Sequence, residues 1–261
     1  MDWRTHPSFC RAALETFAAV CLLSGRPASA LENTLSVART EEVEEVTARF
    51  RAGLRSALEA GEAARQTWPK LAWQGIECYE PTAVAYTLER MKSDIEVATS
   101  IEPRLAALQV YVVGKLESIG RMPPTLIITE RGSSPGQLRQ LFGVRADQAD
   151  VSWQELRDFT QHSLSGQSLV VDLSITSEPK EAKVALRVIS GVVRQVTVVT
   201  DVQVYNLWRG VYRLTADKPG YKPAVLDLEL MGQRSAAVSC TLAKAKSAEK
   251  SRCIQAVQSA H

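Results

Sequence analysis

Leu169-Val170-Val171-Asp172-Leu173-Ser174-Ile175 and, further on, Lys218-Pro219-Gly220-Tyr221 decide the fold of the C-terminal half. In the first segment Val171, Leu173 and Ile175 alternate with Val170, Asp172 and Ser174, the two-residue period of a strand that buries one face. Pro179 breaks the strand, and Val184, Leu186 and Val188 take up the alternation again. Ser190-Gly191 reads as a hairpin turn into residues 192–199. Residues 211–216, the turn at Lys218-Pro219-Gly220, residues 224–230, the turn Met231-Gly232-Gln233 and residues 236–242 complete the set. Short antiparallel strands at this spacing, each apolar on one side, predict a β-sandwich.

Upstream the period changes. After a polar linker around residues 33–39, Thr40 reads as an N-cap, with Glu41 and Glu42 placing negative charge on the positive end of a helix. Val43, Val46, Phe50, Leu54 and Leu58 follow at three- and four-residue steps and form one apolar stripe. Pro81 opens a second helix with Val84, Leu88, Met91 and Ile95 on one face, and Pro103 a third carrying Leu105, Leu108, Val112, Leu116 and Ile119 until Gly120. Ser152 and Glu155 have capping-box spacing, and Val151 with Leu156 that of a hydrophobic staple, so a further helix is expected to begin there and run to about His162. Ser165-Gly166-Gln167-Ser168 reads as a linker where helical periodicity yields to alternation. The expected class is therefore α+β: a helical N-terminal region, a small bundle over residues 31–164, then an antiparallel sandwich over residues 168–243 and a basic tail at 244–261.

Composition narrows the function classes. The chain has 261 residues with 31 Lys and Arg against 29 Asp and Glu, a net charge of +2 that gives no global field to draw in nucleic acid. Residues 1–30 place Arg4 and Arg11 before the apolar run 16–23 and end on Ala28-Ser29-Ala30, the order of a secretory signal peptide cleaved after Ala30. The alternative is an amphipathic helix docked on the body. No later run approaches the ~20 apolar residues that span a bilayer, so no membrane span is expected in the mature chain. Export would leave Cys78, Cys240 and Cys253. Either Cys240 pairs with Cys253, tying the tail to the last strand, or all three remain reduced.

Chemistry-bearing constellations are sparse. No cysteine pair has Cys-x-x-Cys spacing, so neither a metal nor another cofactor is expected. The cluster Arg131-Gly132-Ser133-Ser134-Pro135-Gly136 lacks the Gly-Lys-Ser/Thr step of a phosphate loop and reads as a turn before a short helix at residues 137–142. His162, with Asp158 one turn earlier, is the one histidine within an expected folded region, since His6 falls in the expected signal and His261 is the last residue, and no nucleophile-elbow motif accompanies it. Candidate binding residues are instead aromatic: Trp73 and Tyr79 in a loop-like stretch at residues 68–79, and Tyr205, Trp208 and Arg209, with Tyr212 and Tyr221 more readily placed in a core.

Within residues 168–243, Ser177-Glu178-Pro179-Lys180-Glu181-Ala182-Lys183-Val184, Leu207-Trp208-Arg209-Gly210-Val211-Tyr212 and Lys218-Pro219-Gly220-Tyr221-Lys222 together resemble the PEGA domain, a small β-sandwich of bacterial and archaeal envelope proteins. The chain departs at the name-giving motif, where Lys180 and Glu181 stand in the places of glutamate and glycine. A turn of different backbone geometry is expected there, since glutamate lacks glycine's access to positive φ. The resemblance implies a non-catalytic module with no catalytic residues to carry over. The expectation is a binding or scaffolding protein of the periplasm or cell envelope with a protein or cell-wall polymer as partner. The alternative is a cytoplasmic regulatory or assembly protein that pairs with a partner through the stripe from Val43 to Leu58. An exposed stripe would favour that alternative, and a sealed one a self-contained scaffold.

Overall fold

The computed structural model describes residues 33–73, 75–119, 126–127, 142–189 and 195–256. The expected signal at 1–30, the Ser190-Gly191 turn and the 131–136 cluster lie outside them, as does nearly all of the expected helix at 137–142. The first described residues, expected as linker, form a strand, β1 (Asn33–Ser36). Helix α1 (Thr40–Gln66) follows with Arg39, not Thr40, at the cap position and no side-chain cap bond, so Glu41 and Glu42 stabilise its first turn through the helix dipole. Val46, Phe50 and Leu54 are buried in the core, each contributing roughly 1.5–3 kcal/mol.

The stretch at 68–79, expected as a loop, is a hairpin of β2 (Lys70–Trp73) and β3 (Ile76–Tyr79), turning at Gly75 with φ +80°. Glu80 then caps α2 (Pro81–Ser100), its carboxylate accepting from the Thr82 and Ala83 amides at 3.2 and 2.6 Å. The α2 face of Val84, Leu88, Met91 and Ile95 is buried against α1. Pro103 starts a single 3-10 turn (Pro103–Leu105) that leads into α3 (Ala106–Ile119). Arg104 braces this corner, donating to Glu42 at 2.7 Å and to Glu102 at 2.6 Å.

Strands β4 (Leu126–Ile127) and β5 (Phe142–Arg145) join the hairpin in a small sheet ordered β2-β3-β5-β4. Because β5 delivers the chain straight into α4 (Ala146–Asp158), that helix begins six residues before the expected cap. Ser152 lies inside it. A π-helical turn (Phe159–Leu164) ends the helical half.

The β-rich half comprises β6 (Val170–Glu178), β7 (Lys183–Val188), β8 (Gln195–Val199), β9 (Val202–Trp208), β10 (Gly210–Asp217), β11 (Ala224–Leu230), β12 (Ser235–Thr241) and β13 (Arg252–Ala256). They form one five-stranded sheet, β1-β9-β6-β12-β13, and one four-stranded sheet, β11-β10-β7-β8. The pairing is not all antiparallel as expected: β1 runs parallel to β9 and β12 parallel to β6. Leu173, Ile175, Val204 and Val238 from the first sheet share a core with Val184, Leu186, Leu214 and Leu228 from the second. Glu181 takes φ +61° in spite of its Cβ, a left-handed conformation that glycine enters more easily. Buried hydroxyls hold it there. Ser177 donates to the Pro179 carbonyl at 2.6 Å and meets Thr200 at 2.6 Å, and Thr200 accepts from the Ala182 amide at 2.9 Å.

The described residues from Asn33 onward fall in one compact unit, with side chains shared between the helical and β-rich cores. Trp208 sits in the helical core, and Ala107 of α3 in the core between the two larger sheets. Two short segments expected as a linker and a basic tail, β1 and β13, form the two edges of the five-stranded sheet.

Candidate functional site

The junction of β9 and β10 is shaped by a β-bulge. Val171 pairs with Leu207 and Leu173 with Val204, so Tyr205 and Asn206 together oppose the single residue Asp172. Asn206 adopts φ +53°, and the Asp172 carboxylate accepts its backbone N–H at 3.1 Å. The Asn206 side chain donates to the Ala38 carbonyl at 3.2 Å. The bulge shifts the strand's alternation by one residue, so Leu207 enters the core between the two larger sheets and Trp208 the helical core, with Arg209 buried next to them.

Trp208 and Arg209 therefore have separate surroundings. Trp208 belongs to the helical core, and the Tyr212 hydroxyl donates to its carbonyl at 2.6 Å. Burial pushes the Tyr212 phenol far above its ordinary value. Arg209 is 3% exposed, and its Nε donates to the Ser168 carbonyl. Its Nη1 is buried without a hydrogen-bond partner, and no carboxylate lies within ion-pair distance among the described residues. Burial alone pushes the guanidinium below its ordinary value.

Beside Arg209 opens a cleft of about 480 Å³, walled by Gln167 and Ser168, by Asp172 of β6, by Asn206 of the bulge and by Gly232 and Arg234 of the β11–β12 turn. Gln167 Oε1 is also buried and without a partner. The linker at 165–168, expected only to join two regions, supplies one wall.

The other sequence candidates lie elsewhere. Tyr205 is 40% exposed on β9. Tyr79 is buried, edge-to-face with Trp68 at 5.3 Å between ring centroids. Trp73 pairs through its backbone with Ile76 in the hairpin. Tyr205 and Tyr79 therefore do not share one exposed face. His162 and Asp158 stand 3.8 Å apart with side chains 76% and 50% exposed, without the shielding that a catalytic pair uses. Of the cleft residues, only Arg209 was singled out from the sequence. Gln167, Asp172, Asn206 and Arg234 come together through the bulge and the β11–β12 turn. The one legible signal is a cation between Trp208 and Gly210, at the junction of two stretches rich in apolar residues.

Cys240 and Cys253 face each other across β12 and β13 and are joined as a disulfide, both buried. Cys78 is a buried free thiol. The chain matches no family model and no curated protein at a significant level.

Proposed function

We propose that the protein is a non-catalytic binding or scaffolding protein of the bacterial cell envelope, its two larger sheets paired as a PEGA-like β-sandwich against a helical base. The observation that carries this reading is the buried bond between Cys240 and Cys253, since disulfides persist where the surroundings are oxidising and are rare in the cytosol. The order of residues 1–30 supports the same compartment. Among the described residues no helix is long and apolar enough to cross a membrane.

The helical stripe bears on the intracellular alternative. Val46, Phe50 and Leu54 are buried in the molecule's own core and Val43 and Leu58 are partly buried against it, so most of the stripe is sealed within the chain. That favours a self-contained scaffold. A protein or cell-wall polymer is the proposed partner, with the Arg209 cleft as the feature built for contact.

The test is to express the full gene in a bacterial host and measure the intact mass in each cell fraction after alkylation under denaturing conditions. A periplasmic chain beginning at Leu31 with one modified cysteine, Cys78, is expected. An uncleaved cytoplasmic chain with all five cysteines modified would overturn the envelope reading in favour of an intracellular assembly protein.

A further inference from the structure

From the cleft at the β9–β10 junction we infer a binding site for one carboxylate that adjoins an amide or hydroxyl group, held by Arg209 with Arg234 at the mouth. The inference rests on the reading of the chain as a binding protein, not on its compartment.

The argument begins with an imbalance. A buried guanidinium has five N–H donors, yet Arg209 has one hydrogen-bond acceptor, the Ser168 carbonyl, and no carboxylate beside it among the described residues. Burying an uncompensated charge is strongly unfavourable. A neutral donor could hold the Ser168 carbonyl without that cost, so anchoring the linker does not account for an arginine here. A ligand anion does.

The lining sets the ligand's charge. Two arginines, Arg209 and Arg234, stand against one aspartate, Asp172, leaving one net positive charge to be met. That suits a single carboxylate, which a planar guanidinium grips in a two-pronged geometry. Asp172 already accepts the Asn206 amide, so it stays turned to the bulge, and its charge opposes a doubly charged phosphate. Gln167 supplies the second contact. Its Oε1 is buried and unbonded, an acceptor that requires an N–H or O–H close to the ligand's carboxylate. A peptide C-terminus and a hydroxy acid both carry this pairing, and a volume of about 480 Å³ holds a small group of that kind.

The test is calorimetric titration of the full chain with acetyl-Ala-Ala carrying a free C-terminus, its C-terminal amide, lactate and inorganic phosphate. The dipeptide acid is expected to bind at one site and the amide at least tenfold more weakly. Tighter binding of the dipeptide acid than of lactate assigns a peptide terminus, and the reverse a small hydroxy acid, both within the proposal. Equal binding of acid and amide, no binding of either acid, or phosphate binding tighter than both acids would overturn it.

Two variants separate recognition from folding. Arg234→Glu changes an exposed side chain and inverts the net lining charge, so at least a tenfold loss of affinity is expected with unfolding unchanged. Arg209→Met is expected to abolish binding while the ligand-free chain unfolds at the same or a higher temperature, because an uncompensated charge has been removed. A less stable Arg209→Met chain that still binds the acid would reduce Arg209 to a structural anchor and sink the proposal. A cytoplasmic chain that captures the acid would remove the envelope reading alone, whereas an exported chain indifferent to it would remove this site alone.

Discussion

Gly210 lies directly against the backbone of Ala107, so close that a methyl group on Gly210 would fall 2.0 Å from the Ala107 carbonyl carbon. Gly210 also has φ +140°, a conformation that suits glycine alone. The contact seats α3 on β10 and brings Ala107 into the core of the β-rich half. Gly210→Ala must therefore push helix and strand apart, and a loss of at least about 3 kcal/mol is expected. Urea unfolding of the variant measures it, and a loss under 1 kcal/mol would show that the contact does not join the two halves.

Trp208 is a packing residue of the helical core, 4% exposed. Trp208→Ala should lower stability by about 3–5 kcal/mol through the cavity it leaves. Tyr212→Phe should cost about 1–3 kcal/mol, since it strands the buried Trp208 carbonyl. Denaturant midpoints for both report the difference, and a Trp208→Ala chain as stable as the parent would return Trp208 to the surface.

The Cys240–Cys253 bond closes a short loop, with a sequence separation of 13. A closure of that length stabilises by roughly 3 kcal/mol. Cys240→Ala together with Cys253→Ala should lower the unfolding midpoint by that amount, and a reducing agent should destabilise the parent but not the double variant. If the reductant shifts both equally, the bond is not what secures β13.

Glu102 is held below the ordinary glutamate range, chiefly by the hydrogen bond from Arg104. Its carboxylate thus binds fewer protons folded than unfolded, and the stability this confers is present above the unfolded value and lost as pH falls through the folded one. Glu102→Gln should cost about 1.5–3 kcal/mol at pH 7, with the gap from the parent closing in acid below the carboxylate range. Unfolding curves at pH 7 and pH 3 check this. A gap that persists undiminished at pH 3 would assign the effect to packing.

How far the sequence reached follows from the range of the forces involved. The faces of α1 and α2, the Glu80–Pro81 helix start and the strand at Ala224–Leu230 were legible because periodicity, capping and proline geometry act over a few residues. Ser152 misled because its capping pattern is local too, and β5 overrode it by starting α4 at Ala146. Segments as short as Asn33–Ser36 and Arg252–Ala256 carry no clear strand period of their own. They become strands only because β9 and β12 offer them open edges.

The sequence by itself determined the apolar faces of the first three helices, most strands of the β-rich half, the candidate disulfide pair and the singling out of Arg209. Tertiary structure alone decided that Trp208 faces the helical core while Arg209 borders a cleft. The physical reason is the bulge at Tyr205 and Asn206 opposite Asp172: one extra residue resets the strand's alternation, and that residue is placed by a partner strand about thirty positions away, beyond the reach of any local pattern.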